Sequence, residues 1–278
     1  MNLLDLGMKG KGVLVTGSGT GLGREIALEF ARQGANVAFH YSQSSKGAVS
    51  AVAEARSLGV RAEAFQADLS ELAAVNRLGR EAQAFLGRVD ALVNNSGITF
   101  NKPFLKIEPA NYQKIYDVNV RAGFFLAQQL VPGMIEVGSG AVCNITSIHG
   151  LAGAPEHAVY AGTKGAIIAY TRTLAVELAH KGVRVNAIAP GCVPVENYAQ
   201  ADAGYSEEAA KKWAAGAIPL GRYGYPVEVA RLAVYLCSEV SAFIVGQTIT
   251  IDGGTTAMMS LVTDFKNESS ARFGQRYL

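Results

Sequence analysis

The chain has 278 residues, 49% of them hydrophobic and 17% charged, with a formal net charge of +2. That composition suits a single α/β domain with a sizeable core, and it gives no electrostatic case for nucleic acid or an anionic membrane as partner. No apolar run of roughly 18 residues is present, so no transmembrane helix is expected. The first residues carry an early acid, Asp5, and no long apolar core, so they do not read as a secretory signal, and the cytoplasm is the expected compartment. Cys143, Cys192 and Cys237 lie far apart with no C-x-x-C pair, which supports neither a disulfide framework nor a zinc site, and no metal is expected.

Short apolar runs alternate with longer helical patterns. Residues 13–16 read as a buried strand, followed by a glycine-rich turn and a helix over about 22–33. Strands are expected at 36–41 and 61–67, with a helix over 46–58 between them, and Ser70 is expected to cap a helix running to about Leu86. A fourth strand at 91–94 precedes a long helix over about 109–137, in one or two pieces. A fifth strand at 141–146, a helix over 157–180, a sixth strand at 183–188, a helix over 226–238 and a seventh strand at 248–251 complete the series. Repeated βα units with apolar, β-branched strands imply a parallel sheet covered by helices on both faces. His180, near the end of the 157–180 helix, reads as a residue of its C-terminal cap region.

Two stretches break the pattern. Residues 191–225 are rich in Gly, Pro, Ala and Tyr with one helical piece at 206–215, and a long insertion after a strand reads as a substrate lid. The tail, 255–278, either frays or docks its aromatic end on a partner surface.

Two features carry chemistry. The first turn, Thr16-Gly-Ser-Gly-Thr-Gly-Leu-Gly23, lets backbone approach a pyrophosphate at the N-terminus of a helix, which makes Gly17, Ser18, Thr20, Gly21, Leu22 and Gly23 candidate cofactor contacts. Tyr160 and Lys164 stand one helical turn apart on one face. A fixed ammonium beside a phenol favours phenolate and draws its pKa down from about 10. Ser147 can hydrogen-bond the oxygen that gains or loses the proton. A bare Tyr-x-x-x-Lys pair is common on amphipathic helices, so the surrounding residues decide its meaning.

Those residues resemble the short-chain dehydrogenase/reductase family. The Thr-Gly-x-x-x-Gly-x-Gly turn, Asn94-Asn-Ser-Gly97, Asn119 in Asp117-Val-Asn-Val120, Ser147, Tyr160-x-x-x-Lys164 and Pro190-Gly191 come in the family's order, over about residues 8–254. The resemblance implies a Rossmann-type, doubly wound parallel sheet of about seven strands in one domain over 1–278. It also implies catalysis by Asn119, Ser147, Tyr160 and Lys164, with hydride moving between NADP or NAD and a carbonyl or alcohol carbon. Tyr160 would be the proton carrier, Lys164 would also hold the nicotinamide ribose, and Asn119 would anchor a water that links the lysine to solvent. It further implies cofactor contacts from Asp68 and Leu69 at the adenine, from Asn95, Ser96 and Gly97, and from Pro190, Gly191 and Val193 at the nicotinamide. Val195 departs from the family pattern, which commonly has threonine there.

The end of the second strand, His40-Tyr-Ser-Gln-Ser-Ser-Lys46, has no acid to hold a ribose 2′-hydroxyl. Tyr41, Ser42, Ser44 and Lys46 are candidate contacts there, His40 could add charge, and NADP is expected ahead of NAD. His149 and Cys192 should line the cleft beside Ser147 and Tyr160, Trp213 lies on the lid helix, and Glu196, Asn197 and Tyr198 either face the substrate or begin the lid in solvent. Such a cleft suits a small polar molecule, with a sugar or polyol ahead of a 3-oxoacyl thioester or small ketone. A nucleotide-binding regulator without chemistry would show a broken triad, which this chain does not. Relatives are usually homotetramers with the 109–137 and 157–180 helices packed pairwise, consistent with Phe124, Phe125 and Leu126 on an apolar helix.

Overall fold

A computed structural model describes residues 5–195 and 206–258. Seven strands form one sheet: β1 (Gly12–Val15), β2 (Asn36–Tyr41), β3 (Ala62–Gln66), β4 (Ala91–Asn94), β5 (Gly140–Ile145), β6 (Val183–Pro190) and β7 (Thr248–Ile251). Their order is β3-β2-β1-β4-β5-β6-β7, and every neighbouring pair is parallel. The order reverses between β1 and β4, and the crevice outside the carboxyl ends of strands at such a reversal is where doubly wound sheets take their ligands.

Strand alternation divides the core into two layers. Val13, Val15, Val37 and Phe39 face one side and pack with α1 (Gly21–Arg32), α2 (Ser45–Ser57) and the later helix α8 (Pro226–Cys237). Leu14, Ala38 and Leu92 face the other, against α3 (Leu72–Leu86) and the helix α5 (Ala122–Glu136). A period of two along each strand therefore feeds both faces, as a parallel sheet covered on each side requires.

The 109–137 segment is broken in two. α4 (Pro109–Tyr116) runs into a π-helical turn, Asp117–Arg121, before α5 begins. That extra backbone residue per turn places Asn119 inward, where it is 4% exposed. In α5, Leu126 belongs to the core while Phe124 and Phe125 are half-buried. α6 (Ala158–Leu178) ends in a 3₁₀ turn, Ala179–Lys181, that contains His180, and Gly182 closes it at φ +83°. α7 (Glu207–Ala217) is capped by the Ser206 hydroxyl, which accepts the Ala209 N–H.

One expected cap is corrected. Ser70 does not cap α3; Glu71 occupies that position, and both the N–H and the hydroxyl of Ser70 donate to the Asp68 carboxylate. A local turn onto the preceding acid wins over the helix end. These bonds hold the Asp68 carboxyl below its usual range. Of the tail, Thr255 to Met258 form a turn after β7, and the remainder lies outside the described residues.

Candidate active site

Tyr160 and Lys164 lie on the first turns of α6, and Ser147 on the loop leaving β5. The Lys164 Nζ donates to the Ile145 carbonyl at 2.9 Å and stands 5.5 Å from the centre of the Tyr160 ring. Thr146 fastens the same region, its hydroxyl donating to the Lys164 carbonyl at 2.8 Å. Lys164 is 3% exposed, and burial pushes its ammonium down to about 8. The group therefore still carries its charge at neutral pH, next to the phenol. Ser147 Oγ accepts the His149 N–H at 3.2 Å, which leaves its own proton to donate. The Asn119 amide clamps Ile98, accepting its N–H at 2.8 Å and donating to its carbonyl at 2.9 Å, and donates to Thr163 Oγ1 at 3.2 Å. A Cβ at Gly97 would stand 3.5 Å from both Lys164 Nζ and Asn119 Oδ1, so these two groups converge on Gly97.

Ser147, Tyr160 and Lys164 line a cleft of ≈ 640 Å³, and Asn119 reaches it through Ile98, which lines it. His149 and Cys192 line it as expected, and so do Leu22, Asn95, Gly97, Pro190, Gly191 and Val193 from the expected cofactor set. Trp213 of α7 reaches it while remaining 57% exposed. Glu196, Asn197 and Tyr198 lie outside the described residues.

His157 lines the cleft too, a residue the sequence reading passed over. Its ring stacks on His149 with centroids 4.5 Å apart and planes 17° apart, and both rings stand edge-on to Tyr160. The signal was available: His157, Tyr160 and Lys164 follow the three-and-four spacing of one helix face. The Pro155 carbonyl fixes His157 Nδ1 as the donor at 2.7 Å. Burial first, and the neighbouring His157 second, hold the His149 imidazole below its ordinary range. Its Nδ1 is buried and has no hydrogen-bond partner among the described residues. Thr163, also missed, holds Asn119.

At the nucleotide end, α1 begins without a cap. The Thr20 side chain makes no capping bond and the first turn carries no acid. The leading N–H groups and the positive end of the helix dipole are thus left for an anion. Gly17 has φ +64° and Gly21 φ +58°, and a Cβ at Gly23 would collide with the Gly17 carbonyl, so the turn leaves no room for a side chain at Gly23. Val195 rests against Gly21, at 3.3 Å from a Cβ built there.

Several expected cofactor residues turn their side chains inward. The Ser18 hydroxyl donates to the Val15 carbonyl, Leu69 belongs to the core, and Asn95 Nδ2 bonds the carbonyls of Thr16 and Gly17. Ser18 and Leu69 can meet a ligand only through backbone atoms, while Asn95 keeps its Oδ1. Ser44 packs on Gly19, Tyr41 is half-buried, and Ser42, Lys46 and Asp68 are exposed. His40 does not supply charge: it is 2% exposed, and burial pushes its imidazole down to about 4.

The family model described as enoyl-(acyl carrier protein) reductase matches residues 17–256. The hydroxynaphthalene reductase-like protein Arp2 of Metarhizium robertsii is 37% identical over 262 residues, covering 89% of this chain and 96% of that protein. The 3-oxoacyl-[acyl-carrier-protein] reductase FabG of Staphylococcus epidermidis is 37% identical over 244 residues, covering 88% and 98%. A solved structure from Beutenbergia cavernae, assigned as an NAD(P)-dependent gluconate 5-dehydrogenase and holding NADP at low occupancy, superposes with a TM-score of 0.82 at 35% identity, covering 90% of this chain and 98% of that one.

Proposed function

The chain belongs to the short-chain dehydrogenase/reductase family and is an NAD(P)-dependent oxidoreductase, and we propose that its substrate is a sugar or polyol, oxidised or reduced at a secondary alcohol or carbonyl carbon. The observation that carries the substrate reading is the wall facing Tyr160. Ser147, His149, His157 and Thr99 offer several polar groups to one small ligand. Lys164 is the only charged side chain among the described lining residues. A carrier-bound acyl thioester calls for basic residues at the cleft mouth, and the lysine of the described lining, Lys164, is buried instead. The Staphylococcus epidermidis relative favours that second reading, reduction of a 3-oxoacyl thioester.

The glycine turn fits a dinucleotide by its own geometry: an uncapped helix N-terminus with no room for a side chain at Gly23. Gly17 to Gly23 would hold the pyrophosphate, Asp68 would face the adenine, and Gly97, Pro190, Gly191 and Val193 would face the nicotinamide. Ser44 and Lys46, with no acid after β2, support NADP over NAD. When bound, the nicotinamide gives or takes a hydride at the reacting carbon. The protein handles the proton. Ser147 donates to the substrate oxygen and fixes it beside Tyr160. Tyr160 gives its phenolic proton to that oxygen in reduction and takes it back in oxidation. Lys164 keeps a positive charge near the ring and stabilises the phenolate. Asn119 pins Ile98 to α6 through Thr163 and so shapes the cleft floor. A homotetramer packed through α5 and α6 belongs to the same reading, supported by Val176 exposed on α6.

Nicotinamide absorbance followed with NADP and NAD against aldoses, polyols and 3-oxoacyl thioesters tests the proposal. Turnover is expected with a hydroxylated substrate and NADP. Preference for the thioesters supports the second reading, and tight dinucleotide binding without any turnover overturns both.

A further inference from the structure

His40 sits where the loops of the nucleotide end converge. The Gly17 N–H donates to its Nδ1 at 2.9 Å, and its Nε2 lies 3.1 Å from the Ala67 carbonyl. Accepting at Nδ1 places the ring proton on Nε2, where it is donated to Ala67. The backbone of His40 closes the same knot: its N–H donates to Ser18 Oγ at 2.9 Å, and its carbonyl accepts the Ser18 N–H at 2.8 Å. Ser96 Oγ stands 3.5 Å from Nδ1. One neutral ring thus reaches the glycine turn after β1, the residue before Asp68 after β3, and Ser96 after β4. The groups that meet it from those elements are Gly17, Ser18, Ala67 and Ser96, none of them titratable. On its own strand the next residue is Tyr41, and the nearby Asp68 carboxylate is turned to Ser70.

We propose that His40 is a positioning residue for the dinucleotide: by accepting the Gly17 N–H it holds the turn at φ +64° with the N-terminus of α1 presented to the pyrophosphate. His40 acts through Gly17 and does not touch the cofactor. The inference rests on the reading that this turn binds NAD(P).

The test measures dissociation constants for NADPH and NADH, and kcat at saturating cofactor, in the wild type, His40→Leu and His40→Asn. Leucine keeps bulk and loses both ring bonds. Asparagine puts an amide oxygen near the place of Nδ1 and gives up only the reach to Ala67. His40→Leu is expected to weaken cofactor binding about ten- to a hundredfold, with kcat within about threefold, because a buried N–H loses its partner. His40→Asn is expected to recover most of that loss. In the wild type, affinity should hold down to about pH 5 and fall as pH approaches about 4, where Nδ1 becomes protonated and stops accepting, and His40→Asn should lack this limb. A folded His40→Leu that binds as tightly as wild type, or one that loses kcat as much as affinity, overturns the inference. Should His40→Leu fail to fold, the same acid limb persisting in His40→Asn overturns it. A wild type with no affinity for either dinucleotide overturns the nucleotide reading itself.

Discussion

The two walls of the cleft are built by different forces. On the nucleotide side, backbone is tied to backbone across the carboxyl ends of the strands. The Thr16 hydroxyl accepts the N–H groups of Asn95 and Ser96 at 3.0 Å each, Asn95 Nδ2 bonds back to Thr16 and Gly17, and His40 joins Gly17 to Ala67. On the substrate side, the wall is made of rings: His149 stacked on His157, both edge-on to Tyr160, with an exposed Trp213 opposite. Hydrogen bonds fix distance and angle, whereas stacked rings tolerate sliding. The first wall suits one unvarying ligand. The second presents Ser147, Thr99 and the two imidazole rings to whatever ligand enters.

Perturbing each wall should therefore fail in its own way. The largest effect is expected at the chemistry between them: Tyr160→Phe removes the proton carrier and should lower kcat about a thousandfold in a steady-state assay. Next comes the acid sensitivity of the nucleotide wall. Burial lowers the His40 pKa from 6.5 to about 4, so between those values the unfolded chain binds a proton that the folded chain refuses. Stability is full above pH 6.5 and is lost as pH falls towards 4, by up to about 3 kcal/mol. Chemical denaturation at pH 7 and pH 4.5 should show this loss, and His40→Asn should show less of it. On the substrate wall, His157→Leu frees His149 to move and should raise the substrate KM about tenfold with kcat changed less, readable from initial rates. An equal fall in kcat would mean the pair serves the proton step. The smallest effect lies on the loop beside it. Glu156 has φ +65°, and its carbonyl accepts the Lys102 N–H, so Glu156→Gly should relieve strain and raise stability by about 0.5 kcal/mol in a melt.

The division between what the sequence revealed and what it hid follows contact distance along the chain. The glycine turn, the strand periods and the Tyr160–Lys164 spacing are local patterns, and the parallel sheet and the cleft both follow them. The position of His40 depends on partners 23 and 27 residues away, and in sequence a histidine at a strand end looked like a cation for a phosphate. The fold buried it, and burial reversed its electrical role. The place of His157 was readable from its spacing to Tyr160 and Lys164, whereas its stacking on His149 was not, because that ring comes from the loop after β5. Ser70 misled because two roles competed for it, accepting an N–H at the helix end and donating to the Asp68 carboxylate, and the carboxylate won. Glu196 and Asn197, expected at the substrate, lie outside the described residues.

The most direct test of separate walls is the NADPH dissociation constant of the Tyr160→Phe variant, measured by fluorescence in the preparation used for turnover. The account predicts a constant within about threefold of wild type beside a turnover lost about a thousandfold. Affinity that falls with turnover, or turnover that survives, would contradict it.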